Sequence, residues 1–546
     1  MTNSVNEILD EDLFFIIGSN TTEAHPIIGN KMKQAIQKGA KAIVIDPRRT
    51  EIAEHALYHL KLNSGTDAAL INGIMNVIVE EDLVDWDYVN ERVEGIEDVL
   101  ETVKKYDLKT VSQITGIDEN TIREVARLYA KTEKAGIFYT LGITEHTTGT
   151  SNVMNLANLA LLTGHVGIRS AGVNPLRGQN NVQGACDIGA LPNSFPGYPK
   201  VTDPTAIEFF EKLWDTKLNP KLGLRIPEML DEAVEGKVKA MMVMGEDPVL
   251  SDPDANHVKK AFEKMDFVVS LEIFMSETAK FADVVFPAAC YAEKEGTFTA
   301  SERRVQRVRK AVEAPGEALE DWRIIKKIAQ KMNVKGFEWE TSEDVFNEIR
   351  KAMPSYRGMT YERLGTQGLA WPCPTEDHPG TTFLHEGVFP RGTARMVPVE
   401  YEPPAEIVCE EFPYLLNTGR KLTHYNVMTR FSDKLDEINP YELAEVHPKD
   451  AEKLGLSELD YMEVTSRRGS IITRVHITDK VLEGSIFMTF HYKESPVNEL
   501  TNAAFDPITK TAEYKVSAVR LKKVKDRDDV VEKFVPLKQI VEVNHV

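Results

Sequence analysis

The chain of 546 residues has a formal net charge of −20, with 42% hydrophobic and 27% charged residues. Its length predicts more than one domain. The acidic balance argues against a general nucleic-acid-binding role, because phosphate backbones attract positively charged surfaces. No apolar run approaches the roughly 18 residues of a membrane span, and residues 1–20 lack the basic and apolar regions of a signal peptide. We therefore expect a cytoplasmic protein without a membrane span.

The first part of the chain alternates predicted strands and helices. Residues 12–20 (DLFFIIGSN) predict a buried strand, a helix follows over 26–38, and residues 40–50 predict a second strand. A strand, a helix and a strand in succession form a βαβ unit with parallel strands. Two further helices and a third strand are predicted at residues 67–83, 119–135 and 135–146. The first part of the chain is therefore predicted to be a parallel α/β lobe.

A second group of strand-like runs occupies residues 238–248, 265–274 and 282–290, with a helix over 256–264. The runs of both groups end in polar or glycine-rich residues. In open α/β sheets, ligands bind outside the carboxyl ends of the strands. Two such groups of strands predict either two nucleotide-like sites or one site between two lobes.

The residue pattern changes in the C-terminal part of the chain. Residues 372–413 are rich in proline and acidic residues. Beyond them polar and apolar residues alternate, and turns are predicted at Arg468-Gly469 and Glu483-Gly484. This pattern predicts a β-barrel or β-sandwich domain, followed by a charged tail.

The chain has four cysteines, none of them in a CxxC pair, so no zinc or iron–sulfur ligand set is predicted. The run SERRVQRVRK at residues 301–310 holds five cations. Two interpretations of this run remain open, the solvated face of a strand or helix and an anion pocket.

The segment NPLRGQNNVQGACDIGALPN, residues 174–193, surrounds one cation, Arg177, with neutral amide side chains. It is too polar for a core strand and carries little charge for a surface loop. The planar guanidinium of Arg177 is suited to hold a small carboxylate or oxyanion through two hydrogen bonds. It is equally suited to bridge buried carbonyl groups between domains, and the residues alone leave both roles open.

Together with GSNTTEAHPI, MGEDPVLSDPD and NELTNAAFDPITKTAEYKVSAVRL, this segment closely resembles the catalytic (alpha) subunit of molybdenum- or tungsten-dependent formate dehydrogenases, which are molybdopterin oxidoreductases. Matching segments follow the family order over nearly the whole chain. The resemblance implies an α/β fold with doubly wound parallel sheets in two lobes and a C-terminal, double-psi-like β-barrel. The expected domains are a first guanine dinucleotide lobe (1–179), a second lobe (180–330), a connecting remnant of the cluster-side domain (331–405), a barrel that caps the cofactor (406–530) and a tail (531–546).

The resemblance also implies a reaction, the oxidation of formate to carbon dioxide at a molybdenum or tungsten ion held by two molybdopterin guanine dinucleotides. Two electrons then pass to an iron–sulfur cluster and to an electron-transfer subunit, either ferredoxin-like, a hydrogenase, or an NAD- or F420-reducing subunit. The alternatives are a related molybdopterin oxidoreductase with another oxyanion substrate, and a fragment or scaffold that is inactive by itself.

Arg177 matches the family arginine that orients formate, and four further groups of residues match cofactor-binding motifs. The groups are Gly18, Asn20, Asp46, Arg48, Gly65 and Asp67 for one dinucleotide; Gly178, Gln179, Asn180, Asn181 and Gln183 for a pterin; Gly245, Glu246, Asp247, Glu272, Thr278 and Asp283 for the other dinucleotide; and Arg420, His424, Tyr425, Asn498, Tyr514 and Lys515 in the barrel.

One part of the family pattern does not occur in this chain. In the family, a four-cysteine 4Fe-4S motif and a metal-ligating cysteine or selenocysteine precede the stretch that matches MTNSVNEI at residues 1–8. We therefore assign no metal ligand within the chain, Cys186 included, and expect the cluster on a missing N-terminal part. Our hypothesis is that Met1 is an internal methionine behind a selenocysteine UGA codon that was taken as a stop. A gene fission or an expressed fragment is the alternative, and in each case the isolated chain is expected to be inactive.

Overall fold

The computed structural model describes residues 1–524, so the predicted tail at 531–546 lies outside the described residues. These residues form two compact units. The sheet–barrel unit comprises Thr2–Pro175, Pro248–Val258 and the described residues from His385 onward. The Arg177 unit comprises Met1, Leu176–Asp247 and Lys259–Leu384.

A five-stranded parallel sheet begins the sheet–barrel unit. Its strands are β1 (Leu13–Ile17), β2 (Lys41–Ile45), β3 (Tyr58–Leu60), β4 (Ala135–Tyr139) and β5 (Gly172–Pro175), in the spatial order β3-β2-β1-β4-β5. Every residue of β1 and β4 is buried, as expected for strands of a parallel sheet that is covered on both faces. The predicted strands at 12–20, 40–50 and 135–146 each contain one of these strands.

Helices surround this sheet, and their ends follow local sequence signals. The side chains of Asp107 and Asp118 accept hydrogen bonds from the main-chain N–H groups of Thr110 and Thr121, which caps two of the helices. The helices of this part are Thr21–Ala24, Pro26–Gln37, Asp67–Glu80, Trp86–Arg92, Ile96–Val103, Leu108–Thr115, Glu119–Lys131, Leu141–Thr144 and Gly149–Leu162. A short parallel pair, Val93–Glu94 with Ala394–Arg395, lies beside them.

A closed six-stranded barrel completes the sheet–barrel unit. Its strands are β9 (Tyr414–Gly419), β10 (Leu443–Val446), β11 (Tyr461–Thr465), β12 (Ser470–Ile477), β13 (Ser485–Thr489) and β14 (Ser517–Lys523), closed in the order β9-β13-β10-β12-β11-β14. The pairs β9–β13 and β10–β12 are parallel, and the helices Asp433–Ile438 and Pro448–Leu454 lie between strands. Buried and half-buried residues alternate along β11 and most of β12, because alternate side chains face the interior.

The Arg177 unit contains the second parallel sheet, with strands β6 (Ala240–Met244), β7 (Phe267–Glu272) and β8 (Val284–Pro287) in the order β6-β7-β8. An antiparallel sheet is formed by Gly296–Thr299, Arg304–Val308 and Leu369–Ala370. The helices of this unit are Val182–Asp187, Pro204–Trp214, Ile226–Val234, Asp321–Lys331, Ser342–Ala352 and Tyr361–Leu364. The helix Pro248–Ser251 belongs to the sheet–barrel unit, and the helix Ala255–Lys264 has residues in both units. The predicted fold class, parallel α/β sheets in two lobes with a C-terminal barrel, is confirmed.

The basic run at 301–310 forms a tight turn and a strand whose cations have protein partners. Arg303 is 2% exposed, and its guanidinium donates hydrogen bonds to the main-chain carbonyls of Trp371, Thr381 and Thr382. The Nε of Arg304 lies 2.6 Å from a Glu302 carboxylate oxygen. Of the two interpretations of this run, the structure supports neither a solvated face nor an anion pocket for Arg303, which clamps neighbouring main chain.

We expect Arg303→Met to lower the free energy of unfolding by about 3 kcal/mol, because several buried carbonyl groups lose their donor. The matched neighbour Arg304→Met removes one partly exposed ion pair and is expected to cost less than about 1 kcal/mol. Urea unfolding of both variants and the parent chain measures the difference. Equal midpoints for the two variants would contradict the role of Arg303 as a clamp.

Candidate functional site

A polar cleft in the sheet–barrel unit lies at the carboxyl ends of the parallel strands, where they face the barrel. It encloses about 820 Å³ of space outside the protein atoms, part of it open to solvent. The position agrees with the rule that α/β sheets bind ligands beyond the carboxyl ends of their strands. Eight residues that the sequence singles out line this one cleft, namely Gly18, Asn20, Asp46, Arg48, Gly65, Asp67, Arg420 and Lys515.

The part of the cleft between β1 and β4 is main chain, because two glycines meet there. The N–H of Gly142 donates a hydrogen bond of 3.1 Å to the carbonyl of Gly18. A Cβ atom on Gly142 would lie 2.5 Å from the Cα of Gly18, and Gly18 itself has a φ of +53°. Side chains are therefore excluded from this point, which leaves room for a ligand to approach the backbone closely.

Arg48 joins the end of β2 to the barrel. Its Nε and Nη2 donate hydrogen bonds of 2.7 and 2.6 Å to the two carboxylate oxygens of Glu445. Its guanidinium also lies 4.3 Å from the centre of the Phe487 ring. Fork-shaped pairing of this kind is among the stronger polar contacts in proteins, so Arg48 shapes the wall of the cleft.

Two carboxyl groups of the cleft are held in surroundings that disfavour their charged form. Burial raises the pKa of Asp46 to about 6, although the Arg48 main-chain N–H donates a 2.9 Å hydrogen bond to its carboxylate. Asp67 starts the helix Asp67–Glu80, and burial raises its pKa as well. A carboxyl group at a strand end is the type of group that accepts hydrogen bonds from sugar hydroxyls in nucleotide-binding folds.

The barrel side of the cleft supplies two cations. Lys515 lies 2.8 Å from a carboxylate oxygen of Glu145 and donates a 2.9 Å hydrogen bond to the Thr418 carbonyl. Arg420 donates from Nε to the Tyr425 carbonyl at 2.9 Å and lies over the ring of Tyr425. Cations at a cleft mouth suit a ligand that carries phosphate groups.

His146 is a cleft residue that the sequence-based site did not include. Burial lowers the pKa of its imidazole, but the carboxylates of Glu513 and Asp67 outweigh burial and raise the pKa. Its Nε2 lies 2.9 Å from the Gly142 carbonyl. The one signal in the sequence was its place after β4, in the stretch LGITEHTTG.

A guanine dinucleotide fits the character of this cleft. The site has two glycines in close contact, the carboxyl groups of the half-buried Asp46 and the buried Asp67, and two cations. In addition, the buried hydroxyl of Thr50 has no hydrogen-bond partner among the described residues. A buried polar atom without a partner is costly, and a polar ligand in the cleft would relieve that cost.

The second predicted set of residues lies mainly at the carboxyl ends of β6 and β7 in the Arg177 unit. The carboxylate of Asp247 accepts hydrogen bonds of 2.8 and 2.6 Å from the N–H and hydroxyl of Thr278. Gly245 and Glu246 directly precede Asp247. Burial raises the pKa of Glu272, and its Oε2 has no partner in the described part of the chain.

Asp283 does not join that set. Its carboxylate accepts a 2.7 Å hydrogen bond from the N–H of Val268, near the start of β7. Asp283 precedes β8 and therefore lies at the amino edge of this sheet, opposite to Glu272. The resemblance placed Asp283 and Glu272 in one group because they are near in sequence. In the structure they lie at opposite edges of the sheet, separated by the length of a strand.

The segment around Arg177 folds as a loop followed by the helix Val182–Asp187. The main-chain N–H of Arg177 donates a 3.0 Å hydrogen bond to the hydroxyl of Ser301, and Nη1 lies 3.9 Å from the Cys186 sulfur. Asn181 accepts a 2.8 Å hydrogen bond from the N–H of Thr299. Gly178 is half-buried, and Gln179 and Asn180 are exposed.

The sequence analysis assigned no role to Asp187, a buried acid in the same segment. The carboxylate of Asp187 accepts hydrogen bonds from the side chains of Gln183, Tyr198, Tyr356 and Trp371. Asp187 is the only acid of the segment, which was the available signal. Its partners lie up to 184 residues away along the chain.

Three predicted barrel residues bind main chain and do not line the cleft. His424 is fully buried with Nε2 2.8 Å from the Asn439 carbonyl. Asn498 donates to the carbonyls of Leu250 and Ser251 at 2.9 Å each, and the Tyr514 hydroxyl donates to Ser251 at 3.2 Å. These contacts stabilise the barrel region, whereas Tyr425 contributes through its ring beneath Arg420.

Two other kinds of structural feature are absent from residues 1–524. Within these residues, no three or more His, Cys, Asp or Glu side chains are grouped in a way that could hold a metal ion. In the same range, none of the helices is both long and apolar enough to cross a membrane.

Comparisons with known proteins agree with this arrangement. A family model described as molybdopterin oxidoreductase matches residues 1–331, and one described as Molydopterin dinucleotide binding domain matches residues 414–518. The chain is 48% identical over 530 residues to the F420-dependent formate dehydrogenase subunit alpha of Methanocaldococcus jannaschii, covering 96% of this chain and 78% of that protein. It is 39% identical over 536 residues to formate dehydrogenase H of Escherichia coli, covering 96% and 75%.

More distant similarities involve other reactions. The assimilatory nitrate reductase catalytic subunit of Bacillus subtilis is 34% identical over 537 residues, covering 95% of this chain and 76% of that protein. Acetylene hydratase from Pelobacter acetylenicus superimposes with a TM-score of 0.73 at 22% identity, covering 96% of this chain and 81% of the other. That structural similarity shows the fold alone.

We expect Asp46→Asn to stabilise the chain at pH 7.5 by about 3 kcal/mol. The folded-state pKa of about 6 lies above the ordinary value of 3.8, so ionisation destabilises the fold. This penalty is absent at pH values below the ordinary pKa and is complete at pH values above the folded-state pKa. Urea unfolding at pH 4 and pH 7.5 should therefore show the stabilisation only at pH 7.5.

The exposed Asp10→Asn serves as the matched control and is expected to leave the difference between the two pH values unchanged. A destabilised Asp46→Asn chain at pH 7.5 would show that the charge of Asp46 supports the fold.

Proposed function

Because the chain belongs to the molybdopterin oxidoreductase family, we propose that it is the catalytic subunit of a formate dehydrogenase, which oxidises formate to carbon dioxide. The observation that carries this proposal is the similarity over 96% of the chain to relatives named as formate dehydrogenase alpha subunits, at 46 to 48% identity. The nitrate reductase relative is less similar, at 34%. Formate is therefore preferred over nitrate as the substrate.

We assign the cofactor as a molybdenum or tungsten ion held by two molybdopterin guanine dinucleotides. One dinucleotide is proposed to bind in the cleft, with Asp46 and Asp67 as acceptors and Lys515 and Arg420 near its phosphates. The other is proposed to bind at the carboxyl ends of β6 and β7, where the unpartnered oxygen of Glu272 supports a polar ligand. The domain limits expected from the sequence are retained as part of this assignment.

When bound, the metal centre supplies the two-electron oxidation chemistry. The role of the chain is to bind formate, to orient it and to stabilise its charge. Arg177 is half-buried, so part of its surface remains accessible to a small anion. Two parallel N–H groups of a guanidinium match the two oxygens of a carboxylate, which fixes the direction of the C–H bond.

The electron acceptor is proposed from the relatives. The three relatives at 46 to 48% identity are all named F420-dependent, and each is named as a subunit alpha. We therefore propose a partner subunit that reduces F420, in an enzyme of the cytoplasm. An iron–sulfur cluster between the metal and this subunit remains part of the proposal.

Arg177→Lys is expected to raise the KM for formate roughly 30-fold, the equivalent of about 2 kcal/mol, because an ammonium group replaces two aligned hydrogen bonds by one point charge. Steady-state kinetics of the cofactor-loaded enzyme measures the change. Arg225→Lys is the matched control in the same unit, where Arg225 precedes the helix Ile226–Val234. An unchanged KM in Arg177→Lys would remove Arg177 from the formate site.

Acid release of nucleotides from the purified enzyme is expected to yield two guanine nucleotides for each molybdenum or tungsten ion. Each proposed dinucleotide contributes one, so a ratio of one would refute one of the two assigned sites. Nucleotide chromatography and elemental analysis of the same sample give the ratio.

The cleft provides a paired control for that measurement. Gly142→Ala places a Cβ against the Gly18 backbone and is expected to lower the nucleotide content. Gly296→Ala has no atom within 4 Å of the new Cβ and is expected to leave the content unchanged.

A further inference from the structure

The side chain of Asp187 is the centre of a buried polar cluster in the Arg177 unit. It is 0% exposed. One carboxylate oxygen accepts hydrogen bonds from Gln183 at 2.8 Å and from the Tyr198 hydroxyl. The other accepts from the Tyr356 hydroxyl at 2.7 Å and from the Trp371 indole N–H at 2.8 Å. A buried carboxylate is tolerated when donors surround it in this way.

The donors come from four different parts of the unit. Gln183 lies on the same short helix, whereas Tyr356 and Trp371 belong to the apolar cluster around Phe210 and Phe346. Tyr198 has a φ of +77°, a conformation that is unfavourable for an aromatic residue. Asp187 therefore ties the helix Val182–Asp187 to the core, and its bond to Tyr198 helps to offset backbone strain.

The helix that Asp187 anchors is in contact with Arg177. The sulfur of Cys186, the residue next to Asp187, lies 3.9 Å from Nη1 of Arg177. The charges of Asp187 and Arg177 also act on one hydroxyl. Burial raises the pKa of Tyr198 most, Asp187 raises it further, and Arg177 opposes the rise. The Tyr198 hydroxyl is hydrogen-bonded to Asp187, and Arg177 lies beside the adjacent Cys186, so the acid, the tyrosine and the arginine are close in space.

We propose that Asp187 is a positioning residue for formate, which fixes the helix Val182–Asp187 and thereby orients the Arg177 guanidinium toward the substrate carboxylate. This inference rests on the proposed function. Asp187 itself is buried and does not touch the substrate. An amide cannot replace the carboxylate, because four donors converge on its two oxygens and the NH2 group of Asn would face two of those donors.

Asp187→Asn is therefore expected to raise the KM for formate about tenfold, which corresponds to about 1.4 kcal/mol, while kcat changes less than about threefold. The dissociation constant of azide, a triatomic monoanion without a C–H bond, is expected to rise by a similar factor. Asp203→Asn in the same unit is the matched control, because Asp203 caps the helix Pro204–Trp214 at the surface and Asn caps equally well. A fall in kcat with unchanged KM and azide affinity would overturn the proposal.

A double-mutant cycle with Arg177→Lys separates positioning from general stability. If Asp187 acts through Arg177, the two effects on KM are not additive, because replacing a guanidinium that is already misplaced by Asp187→Asn raises KM by a smaller factor. Additive effects overturn this inference and leave the proposed function standing, whereas an unchanged KM in Arg177→Lys alone rejects the formate site itself.

Tyr198→Phe provides a second variant if Asp187→Asn does not fold. It removes a single donor at a half-exposed position and is expected to raise the KM for formate about threefold, or about 0.65 kcal/mol. An unchanged KM in Tyr198→Phe, in a chain that unfolds like the parent, would also overturn the proposal.

Discussion

The ion pair between Arg48 and Glu445 is the contact on which the cleft depends. It crosses 397 residues of sequence and joins the end of β2 to the barrel strand β10. Both charges are largely removed from water, so each needs the other, because an unpaired buried charge costs several kcal/mol. The pair brings the carboxyl ends of the sheet against the barrel. Asp46, two residues before Arg48, is thereby enclosed and its pKa is raised.

The carboxyl groups described above differ in their surroundings, and the difference bears on their roles. Asp187 and Glu445 are surrounded by donors from the protein itself, and they hold elements together. Asp46, Asp67 and Glu272 lie at or beyond strand ends, where burial raises their pKa. Burial of such groups costs free energy, and a ligand that donates hydrogen bonds would offset that cost.

Local patterns in the sequence predicted the strands that form the centres of the two parallel sheets. Residues of β1 and β4 are almost all apolar, whereas polar and apolar residues alternate along β11 and β12. The spacing and length of these runs were sufficient to predict strands. β3 and β5 were missed because they have only three and four residues, and β5 contains glycine and proline. Six of the eight cleft residues belong to one predicted group, because their motifs follow the neighbouring parallel strands β1, β2 and β3. Contacts such as Arg48–Glu445 and Asp187–Trp371 depend on the tertiary fold, which no local pattern encodes.

Arg177, and Arg303 in the basic run, show why composition alone did not decide between a structural and a functional role. A guanidinium that bridges buried carbonyls was considered for Arg177, and the structure assigns that role to Arg303 in the basic run. Arg303 has a φ of +65° in a tight turn, and its side chain is buried. Arg177 lies in a polar loop and stays half-buried, beside a helix fixed by a buried acid. Tertiary contacts, rather than the neighbouring residue types, distinguish the buried Arg303 from the half-buried Arg177.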